Sequence, residues 1–376
     1  MSFPLEQFIS AAKKEGKSQE YIDNCIKYIH HLESKGFPVI FSLYHLAQEA
    51  GVEYSYLKFL IGENDSGYQY KYKRYRYFKL QKKRGGYREI MVPSKDLKYI
   101  QKWILINILY SYQLSDSCKG FVPKQSTFNN ALVHENSKKI LKVDLLKFYD
   151  SITFDRVVRV FESFGYIRNL SVSLAKLVTA KNRKTYWEEF DNESKLKLST
   201  IRNSDTAVLP QGAPTSPMLA NIIAAGLDRK LEQLSSKLYF RYSRYADDLT
   251  FSITQNEGVL PYEYIITNIV ESEGFFVNSD KVKIRIKGQR QCVTGLTVTN
   301  DVNLSKKYRK EIFRHLYFCR TRGVDDHLRW AKKSEQYNKI QFHDWLYGHI
   351  CYINSINKEV AGKMLDIFKK IDWSID

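Results

Sequence analysis

Residues 239–254 read YFRYSRYADDLTFSIT and carry the most specific structural signal of the chain. Aromatic and β-branched residues alternate with polar ones on both sides of Tyr245-Ala246-Asp247-Asp248, so the pattern predicts two strands joined by a short acidic turn. The two adjacent carboxylates repel each other, and a divalent cation relieves that repulsion. Acidic turns are also common as solvated hairpin loops, so this stretch alone leaves both interpretations open.

A third carboxylate, Asp144, lies near the end of an apolar run, since residues 140–146 read ILKVDLL and predict a strand. Taken by itself, Asp144 is best interpreted as an ordinary acid at a strand end. Combined with Asp247 and Asp248, it completes a set of carboxylate oxygens of the kind that Mg²⁺ prefers. In two-metal sites such groups bridge ions about 3.5–4 Å apart, with Asp144 and Asp247 suited to bridge and Asp248 to support.

A proline-rich loop separates these segments, because residues 209–217 read LPQGAPTSP and lead into a predicted helix near Met218. By itself the loop is an ordinary start of a helix. In this order, however, the three segments resemble the polymerase palm of reverse transcriptases. The Asp144 segment is similar to the first catalytic motif of that family, residues 210–212 to the second, and residues 245–248 to the third.

Three further short motifs extend the resemblance. Residues 274–281 read GFFVNSDK and are similar to the next motif of the family, with Lys281 in the position of its lysine. The sequences NALVH at 130–134 and VTG at 293–295 are similar to two elements of retron reverse transcriptases. Six short motifs in this order form a specific signal, and the resemblance covers about residues 65–376.

This resemblance implies an α/β (α+β) fold of the right-hand polymerase type, with an antiparallel sheet in the palm. It divides the chain into a helical N-terminal region, fingers, palm and helical thumb. The corresponding boundaries are residues 1–62, 63–140, 141–300 with a fingers-associated segment at about 165–222, and 301–376.

The composition fits a protein that binds a polyanion. The chain has 376 residues, with 59 Lys and Arg against 41 Asp and Glu, and a formal net charge of +18. This surplus favours nucleic acid as a partner and says little about the fold. With 43% hydrophobic and 14% aromatic residues, the chain has ample material for a packed core.

The cysteines and the apolar runs argue against several classes of protein. The five cysteines lack paired spacing such as Cys-x-x-Cys, so neither a zinc site nor a disulfide framework is expected. The first residues do not form a signal region, and no apolar run is long enough to span a bilayer. We therefore expect a cytoplasmic protein without a membrane partner.

The N-terminal region is predicted to be helical, with a stop at Gly36. Residues 43–57 have the rhythm of a helix-turn-helix with Gly51 at the turn, which raises a DNA-binding regulator as a rival class. Residues 54–61, the would-be recognition helix, carry Lys58 as their single basic residue and few side chains that read bases. A small helical packing unit is therefore favoured.

A strongly basic, tyrosine-rich segment follows, and residues 71–88 contain no acid. The pattern predicts two strands joined by a Gly85-Gly86 turn, with a bulge at Arg74. So unbalanced a run favours contact with nucleic acid or a triphosphate over a solvated hairpin. By resemblance to the fingers of reverse transcriptases, Lys83 and Arg88 would hold the phosphates of the incoming deoxynucleotide.

The resemblance also assigns the catalytic and metal-binding residues. Asp144, Asp247 and Asp248 would hold two Mg²⁺ ions, one lowering the pKa of the attacking hydroxyl and the other stabilising the pyrophosphate that leaves. The backbone carbonyl of Leu145 is a further candidate ligand.

Four residues are assigned to the nucleotide in the same way. Tyr149 occupies the place of the aromatic residue that excludes the ribonucleotide 2′-OH, and filling the core is its alternative role. Gln211 and Gly212 would line the template and nucleotide cleft, where glycine permits close approach. Lys281 would protonate or neutralise the pyrophosphate, and a surface lysine is the alternative.

RNA contacts are predicted in the thumb and in the two retron signatures. From residue 301 the chain is predicted to be helical, with Ser305 as N-cap and many cations in the first helix. Its position after the palm is that of a thumb that grips the nucleic-acid backbone, although a charged stripe is usually a solvated helix face. His134 is alternatively a satisfied core histidine. The predicted RNA-binding residues are Lys306, Lys307, Lys310, Arg314, His134, Val293, Thr294 and Gly295.

The implied function is RNA-directed DNA synthesis by a retron enzyme. Such an enzyme folds around its own structured noncoding RNA, primes from the ribose 2′-OH of an internal guanosine and uses dNTPs to make RNA-linked single-stranded DNA. That product usually works with a separate effector protein in defence against phage. Two alternatives stay open. One is a reverse transcriptase of the group II intron or abortive-infection type. The other is a nucleic-acid-binding protein on a polymerase scaffold that has lost catalysis, and the presence of all three acids argues against it.

Overall fold

The structure, a computed structural model, describes residues 3–62, 74–81, 87–254, 258–331, 333 and 335–374. The chain divides into two compact units. The first unit comprises Met1–Phe121, Asp144–Gln233 and Tyr262–Asp280, and the second comprises Val122–Val143, Leu234–Pro261 and Lys281–Asp376. The division into N-terminal region, fingers, palm and thumb stays a prediction, since each unit is assembled from three separate segments.

Four helices begin the first unit: α1 (Leu5–Lys14), α2 (Gln19–Ser34), α3 (Leu43–Glu49) and α4 (Tyr54–Leu60). Ser18 caps α2, because its side chain accepts a hydrogen bond from the Tyr21 amide. The apolar side of α2 is buried, which confirms the predicted helical periodicity. In α4, Leu57 and Leu60 are buried, and this supports the packing-unit interpretation of the helix-turn-helix rhythm.

Strands β1 (Tyr75–Gln81) and β2 (Tyr87–Pro93) pair antiparallel along their whole length, which confirms the two predicted strands. The predicted Gly85-Gly86 turn lies outside the described residues. The bulge at Arg74 stays a prediction, because the described ladder begins at Tyr75 and residues 71–73 lie outside the described residues. The Arg74 side chain donates a hydrogen bond to the Lys176 carbonyl.

The rest of the chain is mainly helical, with short strands between the helices. In chain order its elements are α5 (Lys95–Asn107), α6 (Thr127–Leu132), β3 (Lys139–Asp144), α7 (Phe154–Phe164), α8 (Arg168–Val178), β4 (Ala180–Lys181), α9 (Lys184–Glu188), α10 (Asn192–Ser199), β5 (Ala207–Val208), α11 (Ser216–Ile223), α12 (Ala225–Leu238), β6 (Arg241–Tyr245), β7 (Asp248–Ile253), α13 (Glu263–Ser272), β8 (Lys283–Ile286), β9 (Cys292–Val293), β10 (Leu296–Thr297), α14 (Lys306–Arg322), α15 (Val324–Trp330), α16 (Lys339–Asn354) and α17 (Lys358–Phe368). Short 3₁₀ turns occur at Leu109–Ser111 and Ser279–Lys281.

The largest sheet has four strands in the order β6-β7-β3-β8. β6 pairs antiparallel with β7, and β3 pairs antiparallel with β8. The Lys138 amide, just before β3, donates a hydrogen bond of 2.8 Å to the Ile253 carbonyl at the end of β7. β3 and β7 therefore also run in opposite directions, and β3 ends at the side of the sheet where β7 begins. The predicted antiparallel sheet and the α+β fold class are confirmed.

Helices α14, α16 and α17 pack around the apolar core of the second unit. Phe342 and Leu346 of α16 are fully buried there, together with Ile140 of β3 and Ala131 of α6. The helical prediction for the C-terminal part of the chain is thus confirmed. No helix within the described ranges is both long and apolar enough to cross a membrane.

Candidate active site

The acidic turn joins β6 to β7 through Ala246 and Asp247, with Tyr245 and Asp248 paired across it, so the predicted hairpin is confirmed. Ala246 has a φ of 55°, a left-handed conformation that costs a residue with a side chain about 1–2 kcal/mol. The buried guanidinium of Arg244 donates a hydrogen bond of 3.2 Å to the Ala246 carbonyl. The strained turn is therefore held from inside the protein.

A lysine of β3 forms an ion pair with the acidic turn. Lys142 Nζ lies 2.5 Å from Asp248 Oδ2, and each side chain is 27% exposed. The ammonium offsets part of the negative charge that the adjacent carboxylates concentrate at the tip. Because side chains alternate along a strand, Lys142 and Asp144 lie on the same face of the sheet. No local sequence pattern singles out this lysine, since its partner is 106 residues away.

Asp144 is the last residue of β3, and backbone contacts fix its position. Its carbonyl accepts a hydrogen bond of 2.9 Å from the Asn278 amide. The next residue, Leu145, forms an antiparallel bridge with Val277 and buries its side chain. Residues 274–281, which resemble the fourth polymerase motif, therefore brace the segment that carries the first.

The acids suit Mg²⁺ by their chemistry, since carboxylate oxygens are its preferred ligands. Asp144 is the last residue of β3, Asp248 is the first residue of β7, and Asp247 precedes Asp248 in the turn. Over the described ranges, no group of three or more His, Cys, Asp or Glu side chains is gathered closely enough to hold an ion. The binding of two Mg²⁺ by these acids stays a prediction.

The predicted second motif lies against the backbone of β2. The Met91 amide donates a hydrogen bond of 2.7 Å to the Gln211 carbonyl. Gly212 has a φ of 119°, and a Cβ atom there would lie 2.9 Å from the Met91 carbonyl oxygen. Glycine is therefore required at this position because β2 approaches so closely. The lining of a template and nucleotide cleft by Gln211 and Gly212 stays a prediction.

The residues assigned to the nucleotide are accessible where they are described. Arg88 is exposed on β2, and Lys281 is exposed at the end of a 3₁₀ turn. Tyr149 is half-buried, and its ring meets that of buried Phe148 edge to face at 5.6 Å between centroids. The role of Tyr149 as a gate stays a prediction. Lys83 lies outside the described residues.

The prediction that His134 contacts RNA is wrong. Its ring is fully buried, with Nδ1 2.7 Å from Ser252 Oγ and Nε2 2.8 Å from Ser243 Oγ. Burial, together with the nearby cations Arg241 and Lys142, lowers the pKa of the ring to about 3. His134 is thus the neutral core histidine that its alternative interpretation describes.

The VTG segment is a tight turn between β9 and β10. Val293 is fully buried, so the prediction that its side chain binds RNA is wrong. Thr294 and Gly295 have φ values of 46° and 86°, as the two central residues of a type I′ turn do. Thr294 Oγ1 donates a hydrogen bond of 2.9 Å to the Thr127 carbonyl, while Gly295 is exposed. RNA contact stays a prediction for these two residues.

Helix α14 presents the predicted basic surface. Ser305 caps it as predicted, since its hydroxyl accepts a hydrogen bond of 3.2 Å from the Tyr308 amide. The first turn of α14 contains Lys306 and Lys307 and no acid. The positive end of the helix dipole lies at this turn and disfavours cations there. A clustering that is locally unfavourable points to an anionic ligand. The exposed cations of this surface are Lys306, Lys307, Lys310 and Arg314.

Glu89 and Asp150 are buried carboxylates of the first unit that no motif of the sequence includes. Glu89 on β2 accepts a hydrogen bond of 2.6 Å from Arg183 Nε. Asp150, in the turn after β3, accepts one of 3.2 Å from the Tyr186 hydroxyl and pairs with Arg202 Nη1 at 3.5 Å. Burial raises the pKa of Asp150. The Glu89 contact thus anchors the part of β2 that carries exposed Arg88. The Asp150 contacts anchor the turn that carries Tyr149, the candidate gate.

Known proteins match the chain over most of its length. The family described as Reverse transcriptase (RNA-dependent DNA polymerase) matches residues 80–312. Retron Ec86 reverse transcriptase of Escherichia coli is 32% identical over 318 residues, 83% of this chain and 88% of that protein. Retron Ec73 reverse transcriptase of Escherichia coli is 30% identical over 303 residues, 78% and 86% of the two chains. Retron Mx65 reverse transcriptase of Myxococcus xanthus is 32% identical over 287 residues, 76% and 62% of the two chains.

Among solved structures, a telomerase from Candida albicans in complex with an RNA fragment has a TM-score of 0.39 and 13% identity, covering 79% of this chain and 63% of that chain.

The family match and the acidic hairpin of an antiparallel sheet define the class, an RNA-directed DNA polymerase. Within that class, the chain belongs to the retron reverse transcriptases, because it shares at least 30% identity with such enzymes over more than three quarters of its length.

Proposed function

We propose that this enzyme copies its own structured noncoding RNA, starting from the ribose 2′-OH of an internal guanosine, and makes RNA-linked single-stranded DNA from dNTPs. The product then works with a separate effector protein in defence against phage. The observation that carries the proposal is that both retron signatures attach to one helix beside the catalytic hairpin. His134, after α6, bonds to serines of β6 and β7, and Thr294 bonds to the start of α6.

Asp144, Asp247 and Asp248 are the proposed ligands of two Mg²⁺ ions, with the Leu145 carbonyl as a further ligand. When bound, the ions would activate the attacking hydroxyl and stabilise the pyrophosphate that leaves. The chain prepares the site by holding the turn and by offsetting charge with Lys142. Asp144 and Asp247 are the proposed bridging ligands, and Asp248, whose carboxylate pairs with Lys142, is the proposed supporting ligand.

Arg88, Lys281 and Lys83 are the proposed contacts of the nucleotide phosphates. Arg88 is supported by its neighbour in sequence, because the buried Glu89 carboxylate holds Arg183 and so limits movement of this part of β2. A restrained backbone at Arg88 leaves less conformational entropy to lose when its exposed side chain binds a phosphate. Tyr149 is proposed to close the pocket against a 2′-OH.

Replacement of Tyr149 with valine is expected to raise the incorporation of ribonucleotides relative to deoxynucleotides by roughly 10–100-fold, since loss of the ring makes room for the hydroxyl. Single-nucleotide extension with CTP and dCTP measures this ratio. Tyr149→Phe keeps the ring and should leave the ratio unchanged. A lower melting temperature of the valine variant with unaltered sugar choice would instead establish Tyr149 as a core side chain.

Replacement of Lys306, Lys307, Lys310 and Arg314 by glutamine is expected to weaken RNA binding and to flatten its salt dependence. Each lost phosphate contact removes about 0.7–0.9 from the slope of log affinity against log salt concentration. Filter binding at several salt concentrations measures the slope.

A matched control removes four exposed cations near the C-terminus, Lys358, Lys363, Lys369 and Lys370. This variant loses the same charge, so a general electrostatic effect would flatten both slopes equally. The proposal requires that the salt dependence of RNA binding become flatter only in the α14 variant. Equal slopes of log affinity against log salt concentration in the two variants would show that the α14 cations are a solvated helix face.

A further inference from the structure

A chain of buried hydrogen bonds connects the NALVH signature to both strands of the catalytic hairpin. His134 bonds through its two ring nitrogens to Ser252 Oγ on β7 and to Ser243 Oγ on β6, at 2.7 and 2.8 Å. Ser243 Oγ in turn donates a hydrogen bond of 2.7 Å to Asn130 Oδ1. All four residues are almost completely buried, so each polar group depends on the others for its hydrogen bonds.

The protons of this chain are fixed by counting donors. With the Asn130 amide turned so that Oδ1 faces Ser243, the single hydroxyl proton of Ser243 goes to Oδ1, and the His134 nitrogen that faces Ser243 must be the donor. Nε2 therefore carries the proton of the ring. Nδ1 is left as the acceptor and takes the hydroxyl proton of Ser252. The order of donation is Ser252 to His134 to Ser243 to Asn130, and it requires a neutral ring in one tautomer.

The two serines lie on one face of the hairpin, diagonally across its strands. Register pairs Arg241 with Ser252 and Ser243 with Thr250, so His134 spans from one pair to the next. A slip of one residue between β6 and β7 would turn one serine to the opposite face and break the bridge. Arg241 adds a hydrogen bond of 3.1 Å to the Val133 carbonyl, next to His134.

We propose that His134 is a positioning residue. It sets the pairing register of β6 and β7 and holds both strands at a fixed distance from the NALVH segment, and it thereby places Asp247 and Asp248. This proposal rests on the proposed role of those acids in catalysis. It assigns to the NALVH signature the bracing of the catalytic turn in place of contact with RNA. Ser243, Ser252 and Asn130 act with His134 as one unit.

Ser252→Ala, which removes one bond of the chain and little volume, is expected to lower kcat by roughly 10–100-fold, as a catalytic group misplaced by about 1 Å does. The KM for dNTP should change less than about twofold, because the hairpin does not carry the nucleotide-binding residues. Mn²⁺ should restore part of the rate, since Mg²⁺ demands nearly ideal octahedral geometry. His134→Gln keeps a donor near the position of Nε2 and should lose less than His134→Ala.

Ser137→Ala is the matched control. Ser137 is also fully buried, and its hydroxyl donates a hydrogen bond of 2.8 Å to the His134 carbonyl without reaching the hairpin. The Ser137→Ala variant should lose about as much stability as the Ser252→Ala variant, but its kcat should stay that of the unmodified enzyme. If Ser137→Ala and Ser252→Ala lose kcat equally, or if Mn²⁺ restores nothing, the proposal is overturned.

A second measurement needs neither metal nor variants. Nitrogen NMR of the ¹⁵N-histidine-labelled enzyme should show His134 as the Nε2-protonated tautomer, unchanged between about pH 7 and pH 5. A ring protonated on Nδ1, or one that titrates near its ordinary pKa of about 6.5, overturns the proposal. Asp247→Asn that retains activity would refute the metal-ligand role and leave the NMR result intact, so the two failures are distinguishable.

Discussion

Asp247→Asn is expected to reduce DNA synthesis by at least about 10²–10³-fold, the scale on which removal of one charge-stabilising group from an active site acts. Asparagine keeps the size of the side chain and removes its negative charge, so the ligand chemistry is lost while the turn persists. RNA affinity should stay nearly unchanged, because the carboxylate is proposed to face metal and not template. Primer extension and filter binding on the same preparation measure the two quantities. Asp144→Asn should behave in the same way.

Asp366→Asn provides the matched control, because Asp366 is an exposed acid on α17. It should leave DNA synthesis unaltered. A second comparison is Asp248→Asn, which should lose less than Asp247→Asn because Asp248 is proposed to support the ions and Asp247 to bridge them. Retained polymerisation in either Asp247→Asn or Asp144→Asn would remove these acids from the proposed metal site.

Unprimed DNA synthesis is expected only with the cognate noncoding RNA, and its product should be DNA joined to RNA through a 2′,5′ bond. A general reverse transcriptase extends any annealed primer, whereas an enzyme built around one RNA starts from a hydroxyl that this RNA presents. Treatment with a debranching enzyme, followed by a denaturing gel, should separate the DNA from the RNA.

The sharpest control is a cognate transcript with 2′-deoxyguanosine at the branching position. It lacks one oxygen, so unprimed synthesis should fall to background while extension of a supplied primer continues. Thr294→Val, which deletes the hydrogen bond to the Thr127 carbonyl, should impair unprimed initiation more than primer extension. An ordinary 3′-primed product from the native RNA would contradict the proposed priming and leave the polymerase activity unaffected.

Local pattern was sufficient for the catalytic hairpin and for several helices. Alternation across residues 239–254 predicted the strands that became β6 and β7, and the acidic turn lies between them. The N-cap at Ser305 and the buried stripe of α2 followed in the same way. These features are local because strand alternation, helical spacing and capping each involve neighbours within a few residues.

Short motifs were therefore enough to predict the family, the class of reaction and the acids proposed to perform it. Which polar side chains face inward depends on the packing of distant segments. NALVH is compatible with an RNA contact or with a core histidine, and the choice depends on Ser243 and Ser252, which are 109 and 118 residues from His134. Lys142 likewise gains its role from Asp248, 106 residues away. Burial and hydrogen-bond partners are set when distant segments pack together, and no local window of sequence contains both partners.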